Sequence, residues 1–101
     1  MTFRLTRRAE DDIVDIYRFT AETFGLQQAD AYHDRLHKAF RIIGEQPNIA
    51  RERPEISPPV RIHPCGAHII IYVAPHGEPV LILRVRHGSE DWLGDGGSSE
   101  D

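Results

Sequence analysis

A single glycine, Gly25, separates two stretches whose apolar residues recur at helical spacing, and this pair of stripes constrains the fold more than any other feature of the chain. Ala9, Ile13, Ile16, Tyr17, Thr20 and Phe24 follow one another at intervals of 4, 3, 1, 3 and 4, which gathers them on one face of a helix. Thr6 precedes them as an N-cap. Its hydroxyl can accept from an amide of the first turn, and Glu10, Asp11 and Asp12 follow near the positive end of the helix dipole. Gly25 stands where a left-handed residue ends a helix. Beyond it Ala29, Tyr32, Leu36, Ala39, Phe40 and Ile43 repeat the pattern until Pro47 stops it. Two amphipathic helices joined this tightly form an antiparallel hairpin, and its apolar side needs another element to cover it.

The rest of the chain supplies that cover as strands. Thr2 to Leu5 alternates polar and apolar and is read as a first strand. Residues 46–59 hold four of the seven prolines and no sustained period, so they are expected to be a connecting loop. Val60 to His63 alternates, Ala67 to Ala74 is apolar on both faces as in a central strand, and Val80 to Arg86 is rich in Val, Ile and Leu. Pro64-Cys65-Gly66 and residues 75–79 are the turns between them. The expected fold is α+β in the order β-α-α-β-β-β, a helical hairpin packed on a small, mainly antiparallel sheet. Residues 1–93 form its one domain, and the Gly-, Ser- and acid-rich residues 94–101 are expected to be a disordered tail.

Charge narrows the choice of partners. Residues 88–101 carry Glu90, Asp91, Asp95, Glu100 and Asp101 and no Lys or Arg, whereas residues 1–87 hold twelve Lys and Arg against eleven acids. The body is therefore nearly neutral, which argues against strong nonspecific binding to nucleic acid. The longest apolar run, Ile69 to Ala74, falls far short of the ~20 residues of a spanning helix, and the N-terminus has no apolar leader, so the expected location is the cytoplasm, with no membrane partner. Cys65 is the only cysteine and is read as a small buried apolar side chain. His33 and His37 are one helical turn apart, but Asp34 replaces the Glu of a zincin helix and no third ligand is evident. Neither metal nor cofactor is expected, and neither a nucleophile elbow nor a phosphate loop is present.

Arginines remain. Arg51 and Arg53 lie in the loop, Arg61 on the strand after it, and Arg84 and Arg86 on the last strand, followed by His87. Regular alternation there would put Arg84 and Arg86 on one face and Leu81, Leu83 and Val85 on the other. Such cations beside a histidine can hold a phosphodiester and move its proton, pair with the carboxylates of a partner, or simply line a solvated sheet face.

Several motifs resemble one family in collinear order. The opening Leu5-Thr-Arg-Arg-Ala-Glu-Asp-Asp-Ile-Val-Asp-Ile16 resembles the start of ParE toxins of the RelE/ParE superfamily. So do Gln28-Ala-Asp-Ala-Tyr32, Arg51-Glu-Arg-Pro-Glu-Ile56, Gly66-Ala-His-Ile-Ile-Ile-Tyr72 and, above all, Ile82-Leu-Arg-Val-Arg-His-Gly88. The resemblance covers residues 3–92 and implies the toxin of a type II toxin–antitoxin pair, neutralised by a cognate ParD-like antitoxin. Known ParE members poison DNA gyrase, whereas RelE relatives cut messenger RNA on the ribosome with a cluster of Lys and Arg and a C-terminal Tyr or His. Arg61, Arg84 and His87 fall at positions suited to the cutting reaction. Lys38, however, is the only lysine, and no tyrosine follows Tyr72. Gyrase inhibition is therefore the preferred expectation and RNA cleavage the alternative. A third reading is a non-toxic homologue acting as corepressor, with the antitoxin alone contacting operator DNA.

An antitoxin arm that folds on its toxin needs an elongated apolar groove. Val14, Phe19, Leu26 and Ile42 lie off the main stripes and are candidate contacts, together with Arg84 and Arg86 facing antitoxin acids. His87 and Trp92, the only tryptophan, are candidate contacts to the target. Deletion of residues 88–101 is expected to reduce growth inhibition on induction while leaving antitoxin affinity intact. A folded deletion variant of full toxicity would remove the tail from the mechanism.

Overall fold

The computed structural model describes residues 3–89. Its elements are β1 (Phe3–Leu5), α1 (Arg7–Phe24), α2 (Leu26–Glu45), a 3-10 turn (Pro47–Ile49), β2 (Glu52–Arg53), β3 (Val60–Cys65), β4 (His68–Val73) and β5 (Val80–His87). One five-stranded sheet has the order β1-β5-β4-β3-β2, with β1 parallel to β5 and the other neighbours antiparallel. This is the expected α+β architecture. The tail residues 94–101 and Trp92 lie outside the described residues.

Local chemistry sets the hairpin. The Thr6 hydroxyl accepts from the Ala9 amide at 3.0 Å and donates to the Leu83 carbonyl at 2.8 Å, so one side chain caps α1 and ties it to β5. Gly25 alone joins the helices: its amide donates to the Ala21 carbonyl, and its own carbonyl accepts from Ala29. Its φ of +97° belongs to the region that favours glycine, and open space surrounds its Cα. Backbone conformation, rather than crowding, requires glycine there. Farther along, Tyr17 donates from its hydroxyl to Asp30 at 2.6 Å, tying α1 to α2.

The predicted stripes build the core, apart from Tyr17 and Phe24. Ala9 and Ile13 of α1 and Leu36, Ala39, Phe40 and Ile43 of α2 pack on Ile70, Tyr72, Val80, Ile82 and Val85. Tyr72 is fully buried, and its hydroxyl donates to the Pro47 carbonyl at 2.7 Å, which satisfies the one polar atom it carries inward. Cys65 is buried as expected, and burial pushes its thiol pKa up. Phe24 departs: the last residue of α1, it is 66% exposed instead of joining the core.

Two details escape periodicity. The loop 46–59 contains a 3-10 turn and the two-residue strand β2, which pairs Glu52 with Arg61 and Arg53 with Val60. β5 also does not alternate regularly. Ile71 pairs with Arg84 and Tyr72 with Ile82, so Leu83 is an extra residue opposite no partner. Side-chain parity flips there: Val80, Ile82 and Val85 all reach the core. Leu81 therefore does not share the face of Val85, whereas Arg84 and Arg86 do share a face, beside Ile71 and Ile69. No described helix is long and apolar enough to cross a membrane.

Phe40→Ala is expected to lower unfolding stability by about 3–5 kcal/mol in urea titration. Ile42→Ala, two residues away at 43% exposure, should change it by less than about 0.5 kcal/mol.

Candidate functional site

The site begins where β1 ends. β1 pairs with β5 only at Val80, Leu81 and Ile82. Thr6 closes that pairing by donating its amide to the Ile82 carbonyl at 3.0 Å. From Leu83 onward the outer edge of β5 has no neighbouring strand among the described residues, and α1 runs beside it. Asp12 takes the place of a strand at the first open position. Its carboxylate accepts from the Val85 amide at 3.0 Å and from Nε and Nη2 of Arg84 at 2.7 and 2.9 Å. A bidentate, charge-assisted pair of this kind fixes both distance and orientation. With side chains only 14% and 27% exposed, the pair lies where solvent screens it weakly.

Beyond this clamp α1 and β5 diverge into a groove of about 720 Å³. Ile16, Phe19, Thr20 and Phe24 of α1 form one wall, Arg84, Val85, Arg86 and His87 the other, and Gln28, Tyr32, Ala67 and His68 line the remainder. Phe19 and Phe24 are 63% and 66% exposed, an uncommon cost for large aromatic side chains. Along the open edge, the bond from the Gly88 amide to the Ala67 carbonyl sets the pairing phase. Arg84 and Arg86 therefore turn their backbone groups toward β4, while Val85 and His87 turn theirs outward. The Val85 carbonyl and the His87 amide are placed to pair with an extended peptide.

The closed end of the groove is organised by Tyr32. Its hydroxyl oxygen lies 3.1 Å from the Cys65 carbonyl, 3.1 Å from the Ala67 amide and 2.7 Å from His68 Nδ1. Burial raises its pKa, so it acts there as a neutral phenol. Gly66 (φ +60°) makes room for it, since a Cβ at that position would stand 2.7 Å from the Tyr32 ring.

Of the residues singled out in the sequence, Phe19, Arg84, Arg86 and His87 come together in the groove. Val14, Leu26 and Ile42 do not line it and are exposed elsewhere on the hairpin. Arg61 also stands apart, its guanidinium donating to the Ala50 carbonyl at 2.6 Å. His33 and His37 stack with ring centroids 4.5 Å apart, and His37 packs on Phe40, where burial lowers its pKa. Asp12, Tyr32 and His68 were not singled out. Asp12 looked like one of three dipole-favouring acids, and the contacts of Tyr32 and His68 span more than thirty residues.

Comparison with known proteins agrees with this geometry. Residues 3–92 match the family described as ParE toxin of type II toxin-antitoxin system, parDE. Toxin ParE1 of Caulobacter vibrioides is 31% identical over 87 residues, covering 86% of this chain and 88% of that protein. Toxin ParE of Escherichia coli is 26% identical over 88% of this chain and 86% of its own length. A chain of the chromosomal ParDE TA system from P. aeruginosa superposes with a TM-score of 0.74 at 21% identity, covering 86% of this chain and 95% of that one.

Asp12→Ala leaves the Val85 amide and the Arg84 guanidinium without their acceptor. It should cost about 1–3 kcal/mol in equilibrium unfolding. Asp15→Ala removes only a 3.6 Å contact to Arg18 between well-exposed side chains, and the same measurement should move by less than about 0.5 kcal/mol.

Proposed function

Since the chain belongs to the ParE toxin family of type II toxin–antitoxin systems, we propose that it arrests growth by inhibiting DNA gyrase and is silenced when a segment of its ParD-like antitoxin fills the groove between α1 and β5. The observation that carries the reading is the pairing of an open strand edge with exposed aromatic side chains in one trough, Phe19 and Phe24 on one side and Val85 to His87 on the other. A peptide that is disordered alone gains most from such a surface. It adds backbone hydrogen bonds to β5, buries apolar side chains on the phenylalanines and sets its acids near Arg86. Val14, Leu26 and Ile42 extend the apolar surface over the hairpin for the parts of an antitoxin arm that run outside the groove. The complex is a hetero-oligomer, and operator DNA is contacted by the antitoxin alone.

The arrangement of cations favours a binding toxin over an RNA cutter. Cleavage requires charge neutralisation at the scissile phosphate together with a positioned acid and base. Arg84 is already paired with Asp12, and Arg61 is bound to the Ala50 carbonyl away from the groove. His87 therefore has neither at hand in the role that reaction needs. In the gyrase reading, His87 and the segment after it, including Trp92, contact the target.

Induction should stop growth and co-expression of the antitoxin restore it. Purified toxin should inhibit supercoiling and stabilise cleaved DNA with gyrase, and leave ribosome-bound mRNA intact. Messenger cleavage without any effect on gyrase would defeat the proposal, and absence of growth arrest would point to the corepressor reading. Arg86→Glu should weaken antitoxin affinity at least tenfold in calorimetry, since it turns a charge-assisted contact into a repulsion. An unchanged affinity would remove Arg86 from the interface.

A further inference from the structure

β4 is apolar on both faces, yet the helices cover only one of them. Ile70 and Tyr72 pack beneath α1 and α2, whereas Ile69, Ile71 and Val73 alternate with them and point to the other side of the sheet. Directly opposed residues share a face, so Ile62 of β3 and Leu81 of β5 join them there. An antiparallel sheet with one face in water ordinarily carries polar side chains on that face. Here its middle is branched aliphatic, and Ile71 is 5% exposed although it lies outside the core beneath the helices.

The charges around that patch have one sign. Arg4 sits opposite Leu81, Arg84 opposite Ile71 and Arg86 opposite Ile69, and Arg53 lies opposite Val60 at the far edge. The described strands place no acid on this side. Asp12 reaches Arg84 from α1 and Glu55 lies 3.7 Å from Arg53, so acids approach these arginines from outside the sheet. A second copy stacked here would set arginines against arginines, and like charges brought together across an interface oppose association. The surface suits an apolar occupant that brings acids.

The residues that follow β5 have that composition. Glu90-Asp91-Trp92-Leu93 opens a stretch, residues 88–101, with five acids and no Lys or Arg. β5 ends beside the patch, since a Cβ at Gly88 would stand 3.9 Å from Cγ2 of Ile69. The chain from Gly88 to Trp92 can span roughly 13–14 Å. Residues two apart on a strand are separated by roughly 7 Å and neighbouring strands by about 5 Å, so Ile69, Ile71 and Ile62 all fall within reach. We propose that residues 90–93 fold back over the helix-free side of the sheet, with Trp92 seated on Ile62, Ile69 and Ile71 and with Glu90 and Asp91 beside its arginines. Tethering favours this occupant over a separate acidic peptide, because the effective concentration of a closely linked segment is on the order of millimolar. The seat belongs to the free chain and does not rest on the gyrase reading. A target that contacts Trp92 must first lift it from the sheet.

Trp92 is the only tryptophan, so the intrinsic fluorescence of the full chain reports on it alone. Expected are a blue-shifted emission and acrylamide quenching several-fold weaker than that of N-acetyltryptophanamide. Ile69→Ser should move the emission to the red and raise the quenching constant about twofold, with an unchanged circular dichroism spectrum. Glu90→Lys combined with Asp91→Lys alters no residue of the sheet and should act in the same direction, because it sets cations against arginines. Phe24→Ala, in the groove, should change neither property. A solvent-exposed emission in the full chain overturns the proposal, as does an emission unmoved by the lysine pair. A blue shift lost in Phe24→Ala and kept in Ile69→Ser places Trp92 in the groove, and one that fades on dilution places it between two copies; either result overturns the proposal as well.

Discussion

The carboxylate of Asp12 on the open edge of β5 is the contact around which the rest of the molecule is arranged. It answers the Val85 amide and both arms of the Arg84 guanidinium at once. An unprotected edge is a template for pairing with any other strand, and proteins block such edges with charge, bulges or covering elements. Here all three occur within a few residues. Leu83 bulges, Arg84 brings charge, and α1 lies alongside. Among the described residues, the positions after this clamp have no strand beside them, and they face the exposed aromatic side chains of α1. Edge protection and the groove are thus consecutive stretches of the same strand.

The helical hairpin serves that strand in two ways. Its inner stripe supplies the core, which anchors β5 through Val80, Ile82 and Val85. Its flank supplies Asp12, Ile16, Phe19 and Phe24 to the groove wall. A shared helix places a constraint on change: a shift of α1 that repacked Ile13 would also move Asp12 relative to Val85. At the other end, Tyr32 joins α2 to the β3–β4 turn and to His68, so the groove is fixed where it closes as well as where it begins. The Gly66 turn is the steric partner of that contact.

Functional readings rank according to which charges are already satisfied. An arginine held by a carboxylate of its own fold has lost much of its value to an incoming phosphate, because the existing pair must first be broken. Arg84 is in that position, whereas a partner that supplies apolar side chains can use the exposed Phe19 and Phe24 without dismantling that pair. Belonging to the ParE toxin family and having a groove of this composition therefore point in the same direction.

What the sequence determined by itself was local and periodic. The stripes Ala9 to Thr20 and Ala29 to Ile43, the Thr6 cap, the Gly25 turn and the three C-terminal strands all follow from spacing and residue type, because helix and strand periods are properties of adjacent residues. Motif order likewise identified the family. The tertiary structure alone decided which surface those elements leave open. The parallel pairing of β1 with β5, the bulge at Leu83 that turns Val85 inward, the Asp12 clamp and the Tyr32–His68 contact join residues far apart in the chain. No period encodes such contacts. Arg61, Arg84 and His87 looked like one cluster in the sequence, yet only the last two share a groove, since β3 and β5 lie on opposite sides of β4.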